Sequence, residues 1–251
     1  MKRLFIGSCP KDSGSPEANE DKYAFSSDGN RLALCDGASE SFDSKVWADL
    51  LARHFVEDPK VNQDWVALAL LEYNEKHDFD SMSWSKQAAF ERGSFATLLG
   101  LEYFQAHQAV EVLAVGDSIA ILCDNEQLTR SWSISDPEQF KQHPTLLSTL
   151  SAHNRFVEES GFWSDHGRTF SLTGLNRPVI LCMTDALGEW ALRQAQSGGS
   201  GLARLIAMES EEELIELVLQ ERSAKRMKID DSTLVVVSFD TKKAIDGIPI
   251  S

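Results

Sequence analysis

Apolar positions recur along the chain with two periods, and the switches between them outline its elements. An apolar run at residues 4–7 opens the chain, and the Ser, Pro, Gly and charged residues of 9–19 mark a loop after it. Residues 23–26 and 31–35 then flank Ser27-Asp28-Gly29-Asn30, and Asp-Gly between two strand-like runs predicts a hairpin. From residue 41 to about 57 the period lengthens: Trp47, Leu50, Leu51, His54 and Phe55 share one helical face, with Ser41 or Asp43 available as N-cap. A second helical pattern covers 63–77 through Trp65, Leu68, Leu71 and Tyr73, and resumes over 83–92. Both stretches are expected to pack on a sheet.

Alternation then returns. Residues 95–103, 109–115 and 119–124 read as three strands, the last two joined by Gly116-Asp117-Ser118, and predict an antiparallel meander. Residues 126–176, with Pro137, Pro144, three histidines and two tryptophans, read as a long excursion carrying short helices. A continuous apolar strand over 178–183 follows, then a helix over 187–196, a flexible joint at Ser197-Gly198-Gly199-Ser200, one or two helices over 202–225, and a buried closing strand over 233–239. Strands grouped in hairpins, with helices inserted in blocks, indicate an α+β sandwich and not an alternating parallel α/β fold. There are no repeats, and one domain is expected over residues 1–251.

Composition narrows the function. The chain is 42% hydrophobic and 9% aromatic, enough for a packed core. Its formal charge of −15, without a basic stripe, argues against nucleic acid or an anionic membrane surface as partner. Solubility alone explains such acidity as readily as metal binding does. Cys9, Cys35, Cys123 and Cys182 form no CxxC pair and read as core residues of a reducing compartment. The apolar stretch after Met1-Lys2-Arg3 is shorter than the roughly 7–15 residues of a secretion signal. No run reaches the roughly 18 apolar residues of a membrane span. A cytoplasmic location is expected.

The aspartates carry the most information, because they recur at strand ends. Asp36 follows Leu32-Ala33-Leu34-Cys35, Asp117 follows Val112-Leu113-Ala114-Val115-Gly116, Asp185 follows the strand at 178–183, and Asp230 precedes the last strand. In an antiparallel sheet the end of one strand and the start of its neighbour share an edge, so these carboxylates can converge. If Asp28-Gly29 are the turn residues of the first hairpin, the numbers of facing residues sum to 57 and Asp21 faces Asp36. Side chains so opposed lie about 4.5–5.5 Å apart at Cβ, and two like charges there are destabilising without a counter-charge. A divalent cation supplies one. Glu20 adds a third carboxylate, and an all-oxygen set suits Mg²⁺ or Mn²⁺ better than zinc. Taken singly, each aspartate reads more readily as a cap or turn, and Asp28 belongs wholly to the turn; the pairing of Asp21 with Asp36 and the repeated strand-end placement carry the joint reading. Gly37 allows close backbone approach to a ligand and offers its carbonyl as a further donor.

These residues make the chain resemble the metal-dependent, type 2C serine/threonine protein phosphatases. The resemblance rests on Asn19-Glu20-Asp21, Leu34-Cys35-Asp36-Gly37, Gly93-Ser94-Phe95-Ala96-Thr97, Val115-Gly116-Asp117-Ser118, Thr184-Asp185-Ala186 and Asp230-Asp231-Ser232-Thr233, in that order over nearly the whole chain. It implies a four-layer α/β/β/α sandwich, two antiparallel sheets flanked by helices, with two Mn²⁺ or Mg²⁺ ions at one end. Asp36 would bridge the metals; Asp185 and Asp230 would complete one site, and the Gly37 carbonyl with Glu20 or Asp21 the other, partly through water. Asp117 and Asp185 resemble the residues that hold a third, weaker ion in bacterial members. Catalysis would centre on Asp36 and Asp21, with a hydroxide bridging two cations attacking phosphoserine or phosphothreonine in line and no phosphoenzyme. The substrate would be a phosphorylated protein, the counterpart a Ser/Thr kinase, and the favoured state a monomer.

Two positions depart from the family pattern. Many members carry a phosphate-gripping arginine where this chain has Pro16, which leaves Lys11 or Arg92 for that task. Animal-type members carry a histidine after Asp-Gly, where this chain has Ala38; water or a loop histidine such as His153 would donate the proton. The excursion at 126–176 lies where relatives carry a variable flap beside the active site. The competing hypotheses are a catalytically weak phosphatase-like binding module, a different two-metal hydrolase of small phosphorylated molecules, and a structural domain whose aspartates are caps and turns.

Overall fold

The computed structural model describes residues 1–240, so residues 241–251 of the expected domain lie outside the described part. Strand β1 (Lys2–Cys9) leads to the hairpin β2 (Lys22–Phe25) and β3 (Arg31–Cys35), and helices α1 (Ser44–Glu57), α2 (Gln63–Glu75) and α3 (Trp84–Glu91) follow. Next come β4 (Phe95–Ala96), β5 (Leu98–Phe104), β6 (Ala109–Val115), β7 (Ile119–Asp124) and β8 (Gln127–Trp132). A run of short helical turns carries β9 (Leu147–Ser148) and α4 (Phe162–His166). The chain continues with β10 (Gly167–Ser171), β11 (Pro178–Met183), α5 (Asp185–Gln196), α6 (Gly201–Ile206), α7 (Glu211–Ser223) and β12 (Ser232–Ser238).

Two five-stranded antiparallel sheets result, in the orders β1-β12-β11-β7-β8 and β10-β6-β5-β3-β2. Their inner strands are apolar on both faces because each sheet is covered twice. In β3, Leu32 and Leu34 enter the core between the sheets, whereas Ala33 and Cys35 face the core under α1 and α2. In β12, Val235 and Val237 enter the inter-sheet core, and Leu234 and Val236 the core under α5, α6 and α7. Period-two alternation thus sorts residues between two interiors, and three stacked cores separate the four layers. The α+β sandwich of two antiparallel sheets flanked by helices is the observed architecture. All four cysteines are buried and unpaired in disulfides.

The hairpin keeps its predicted register, with Lys22 opposite Cys35 and Tyr23 opposite Leu34. The meander does not form. β5 and β6 pair in one sheet, but β7 crosses to the other and pairs with β11 and β8. The crossing occurs at Gly116, whose φ of 106° is open to glycine; a Cβ there would stand 2.6 Å from Thr97 Cγ2. Apart from Glu111 and the terminal Asp124 both strands are apolar, so their pattern carries no cue to which sheet each joins. The predicted excursion is also shorter than 126–176, since its ends form β8 and β10. Each is an edge strand with mostly exposed side chains, hence little apolar alternation to reveal it. Asp43 occupies the N-cap position of α1 but does not cap: its φ is 45°, and its carboxylate lies 2.8 Å from His77 Nε2. α2 packs chiefly on α1 and the helical turn at 151–158, and its buried residues share one core with Ala33 and Cys35 of β3. Among the described residues no helix is long and apolar enough to cross a membrane.

Candidate metal centre

Antiparallel pairing brings several strand termini to one end of the sandwich. In the first sheet Cys9 lies opposite Ser232, and Met183 lies between Leu234 and Ile119. In the second, Lys22 lies opposite Cys35 and Leu98 opposite Val115. The residues just beyond these pairs are Asp21, Asp36, Asp117, Asp185 and Asp230-Asp231, so topology alone gathers the carboxylates. Asp36, Asp117, Asp185 and Asp230 line one small cleft of about 160 Å³. Gly37 and Thr97 also line it, and Pro144 and Leu146 of the irregular segment close one side. A larger groove of about 590 Å³ between β8 and α5–α6 carries Leu128, Leu192 and Leu202 and no such cluster.

Local bonding fixes the acids. Asp36 donates its backbone N–H to Thr97 Oγ1 at 2.9 Å, and its carbonyl accepts from Thr97 N at 2.8 Å. Thr97 Oγ1 also pairs with Ser118 Oγ beside Asp117, which ties the two sheets together under the cleft. Gly37 is required by packing: a Cβ there would lie 2.9 Å from the Ser44 backbone at the start of α1. The close approach to Gly37 in this structure is thus the helix. Asp185 begins α5, where the helix N-terminus favours negative charge. Arg222 of α7 donates to the backbone carbonyls of Pro10 and Asp230 and clamps the entry to β12.

Asp21 and Glu20 stand outside the lining of the cleft. Asp21 is buried; its Oδ2 accepts from Thr233 at 2.7 Å and Thr184 at 3.1 Å, and its Oδ1 has no hydrogen-bond partner. Glu20 accepts from Lys11 Nζ at 2.6 Å and from Ser44 Oγ. Four residues to which the sequence assigns no individual role complete the arrangement: Asp231, Thr184 and Thr233, which lie within its motifs, and Lys228, which does not. Buried Asp231 accepts from the backbone N–H groups of Lys11 and Glu20, stapling the first loop to β12; its signal was the Asp230-Asp231 doublet. Thr184 and Thr233 hold Asp21. Lys228 Nζ lies 2.8 Å from Asp185 and 2.9 Å from Asp230, and nothing in the apolar pattern marks it.

The electrostatics are those of acids without enough counter-charge. Burial, with the charges of Asp231 and Asp185, pushes Asp21 up to about 7 despite its threonine hydrogen bonds. Burial, then Asp21, Asp185, Asp117 and Asp230, holds Asp36 well above the usual carboxylate range. Burial and Asp185 push Asp117 up to about 6. The hard oxygen donors, their raised affinity for positive charge and the orphaned Asp21 oxygen fit Mg²⁺ or Mn²⁺. Even so, among the described residues no group of three or more Asp, Glu, His or Cys side chains stands arranged to hold a metal ion. Two ammonium groups pair with these carboxylates, Lys11 with Glu20 and Lys228 with Asp185 and Asp230.

Of the candidate phosphate-gripping groups, Lys11 reaches the rim, 2.6 Å from Ser39 Oγ, whereas Arg92 donates to Ala88 O at the end of α3. His153 is exposed and packs edge-on against Phe95, with centroids 5.5 Å apart.

No protein-family model and no curated protein matches the sequence. Solved structures do match the fold. The photosystem II phosphatase PBCP is 14% identical, with 94% of this chain and 98% of that one covered and a TM-score of 0.57. Serine/threonine phosphatase Stp1 from Staphylococcus aureus is 16% identical over 95% and 96% of the two chains, with a TM-score of 0.55. The catalytic domain of serine threonine protein phosphatase PstP, in complex with two manganese ions, is 14% identical over 96% and 100%, with a TM-score of 0.54. The chain therefore has the fold of the type 2C serine/threonine phosphatases.

Proposed function

We propose that this chain is a metal-dependent protein serine/threonine phosphatase, hydrolysing phosphoserine and phosphothreonine on proteins and opposing a Ser/Thr kinase. The observation that carries this reading is the gathering of Asp36, Asp117, Asp185 and Asp230 into one cleft at the sheet ends, on a fold shared with such enzymes. Two Mn²⁺ or Mg²⁺ ions are the proposed cofactors, with a third, weaker one at Asp117 and Asp185; a relative has been solved with two manganese ions. When bound, such ions would lower the pKa of a coordinated water, so that hydroxide is available near neutral pH, and would neutralise charge on the phosphoryl oxygens.

The chain's own residues divide the remaining work. Asp36, Asp185 and Asp230 would hold the ions, with the Gly37 carbonyl, Glu20 and Asp21 as further oxygen donors. Thr184 and Thr233 orient Asp21 by bonding one oxygen and leaving the other free. Lys11 takes the phosphate-binding role that Pro16 cannot fill. No histidine lines the cleft, so the leaving oxygen draws its proton from solvent. Pro144 and Leu146 give the irregular segment a wall of the cleft, and with it a part in substrate choice.

The test is hydrolysis of a phosphothreonine peptide and of an aryl phosphate, with Mn²⁺ and with chelator, by the wild type and Asp36→Asn. Metal-dependent turnover that disappears in the variant is expected. Absent turnover alongside measurable Mn²⁺ binding would favour the catalytically weak binding module, a reading to which the Lys228 contacts lend some weight.

A further inference from the structure

We propose that Lys228 is an internal counter-cation that holds Asp185 and Asp230 together in the metal-free chain, competes with the divalent ion for them, and withdraws when the ion enters. The proposal rests on the functional reading above and extends it to how the site is loaded. Its ammonium nitrogen is within hydrogen-bond distance of one oxygen on each carboxylate, 2.8 Å and 2.9 Å, and both acids line the cleft. A divalent ion bound to the same two carboxylates would sit beside that ammonium, and like charges at such separation repel strongly, so one cation must leave.

Its position suits it to leaving. Lys228 lies in the link between α7 and β12, two residues before Asp230, and its side chain is 54% exposed. The long stem can swing to solvent without moving the backbone that Arg222 clamps at Asp230. Lys11 differs. Its side chain is 31% exposed, and its backbone N–H is fixed on Asp231, so it stays at the rim. The two lysines therefore divide between a retained and a displaceable positive charge. A site whose ligands are partly occupied by a tethered competitor binds its ion more weakly, by the fraction of time the competitor is away. A nine-to-one preference for the closed contact weakens binding by about tenfold.

Two measurements decide it. Calorimetric Mn²⁺ titration of the full chain and of Lys228→Met should show at least about tenfold tighter binding in the variant. In chelator the variant should melt lower than the wild type, and its upshift with Mn²⁺ should be the larger. Equal or weaker Mn²⁺ affinity in a folded Lys228→Met would overturn the proposal and leave the phosphatase reading intact. Failure of both proteins to bind Mn²⁺ would overturn the two together. Should the variant not fold, the wild type still provides the answer: amine acetylation mapped by mass spectrometry should be slow at Lys228 in chelator and accelerate with Mn²⁺. Labelling that Mn²⁺ does not change would sink the idea.

Discussion

Two groups of carboxylates in this protein meet opposite fates. On the outer face of α1 and α2, Asp49 and Glu72 flank Arg53 at 3.0 Å and 2.9 Å, with His54 and Lys76 also on Glu72. Hydrogen bonding from Arg53, then His54, pulls the Glu72 carboxyl down to about 2. At the sheet ends burial comes first and the nearest charges are other carboxylates, so Asp21, Asp36 and Asp117 move up instead. One cluster is finished by its own side chains; in the other Asp21, Asp36 and Asp117 face further carboxylates, and Lys228 pairs only with Asp185 and Asp230. Unmet charge in a concave, partly buried place marks a functional site; an acidic count does not.

The contrast breaks most directly by substitution. Asp36→Asn should lower Mn²⁺-dependent hydrolysis of the phosphothreonine peptide by more than about a hundredfold, beyond what losing an outer partner of a metal site costs. Glu72→Gln should leave that rate within about twofold, and a comparable loss there would erase the distinction between the clusters. Lys11→Met should come next, raising KM for the peptide by roughly ten- to a hundredfold, the scale of one charge-assisted hydrogen bond. If only kcat falls, Lys11 acts through Glu20 and not on the phosphate.

Stability offers finer tests. Thr233→Val removes the 2.7 Å hydrogen bond to Asp21 Oδ2, and denaturant unfolding should record a loss of roughly 1–3 kcal/mol. The pH dependences should run in opposite directions. A carboxylate whose folded pKa lies above its unfolded one holds more protons when folded, so its contribution fades as pH rises through the folded value. Melting in chelator should therefore decline from pH 5 to pH 8 through Asp21, whose folded value is about 7. A flat profile there would mean that the acids are already neutralised by the chain. For Glu72 the sign reverses, since a depressed carboxyl stabilises above its unfolded pKa and loses this as pH falls towards its folded one. Being a partly exposed pair, Glu72→Gln should cost under about 1 kcal/mol at pH 7 and nothing measurable near pH 2.

Periodicity by itself determined much of this protein. Sheet residues such as Leu32 to Cys35 alternate between two buried faces, so local pattern marked the strand. The hairpin register followed from its turn, and Lys22 does face Cys35 with Asp21 and Asp36 just beyond. The α+β class and the strand-end positions of Asp36, Asp117, Asp185 and Asp230 were readable for the same reason: each depends on neighbours in the chain. What only the tertiary structure decided depends on distant ones. The sheet that β7 joins, and the edge strands β8 and β10, are matters of pairing partner, to which an apolar run or a polar edge is indifferent. Gly37 proved to be shaped by the start of α1, and Asp43 by His77. Lys228 belongs to the same class. An exposed lysine in a loop, here the last of the basic run Lys225-Arg226-Met227-Lys228, carries no signal of its own, and becomes meaningful only when the fold sets Asp185 and Asp230 on either side of its ammonium group.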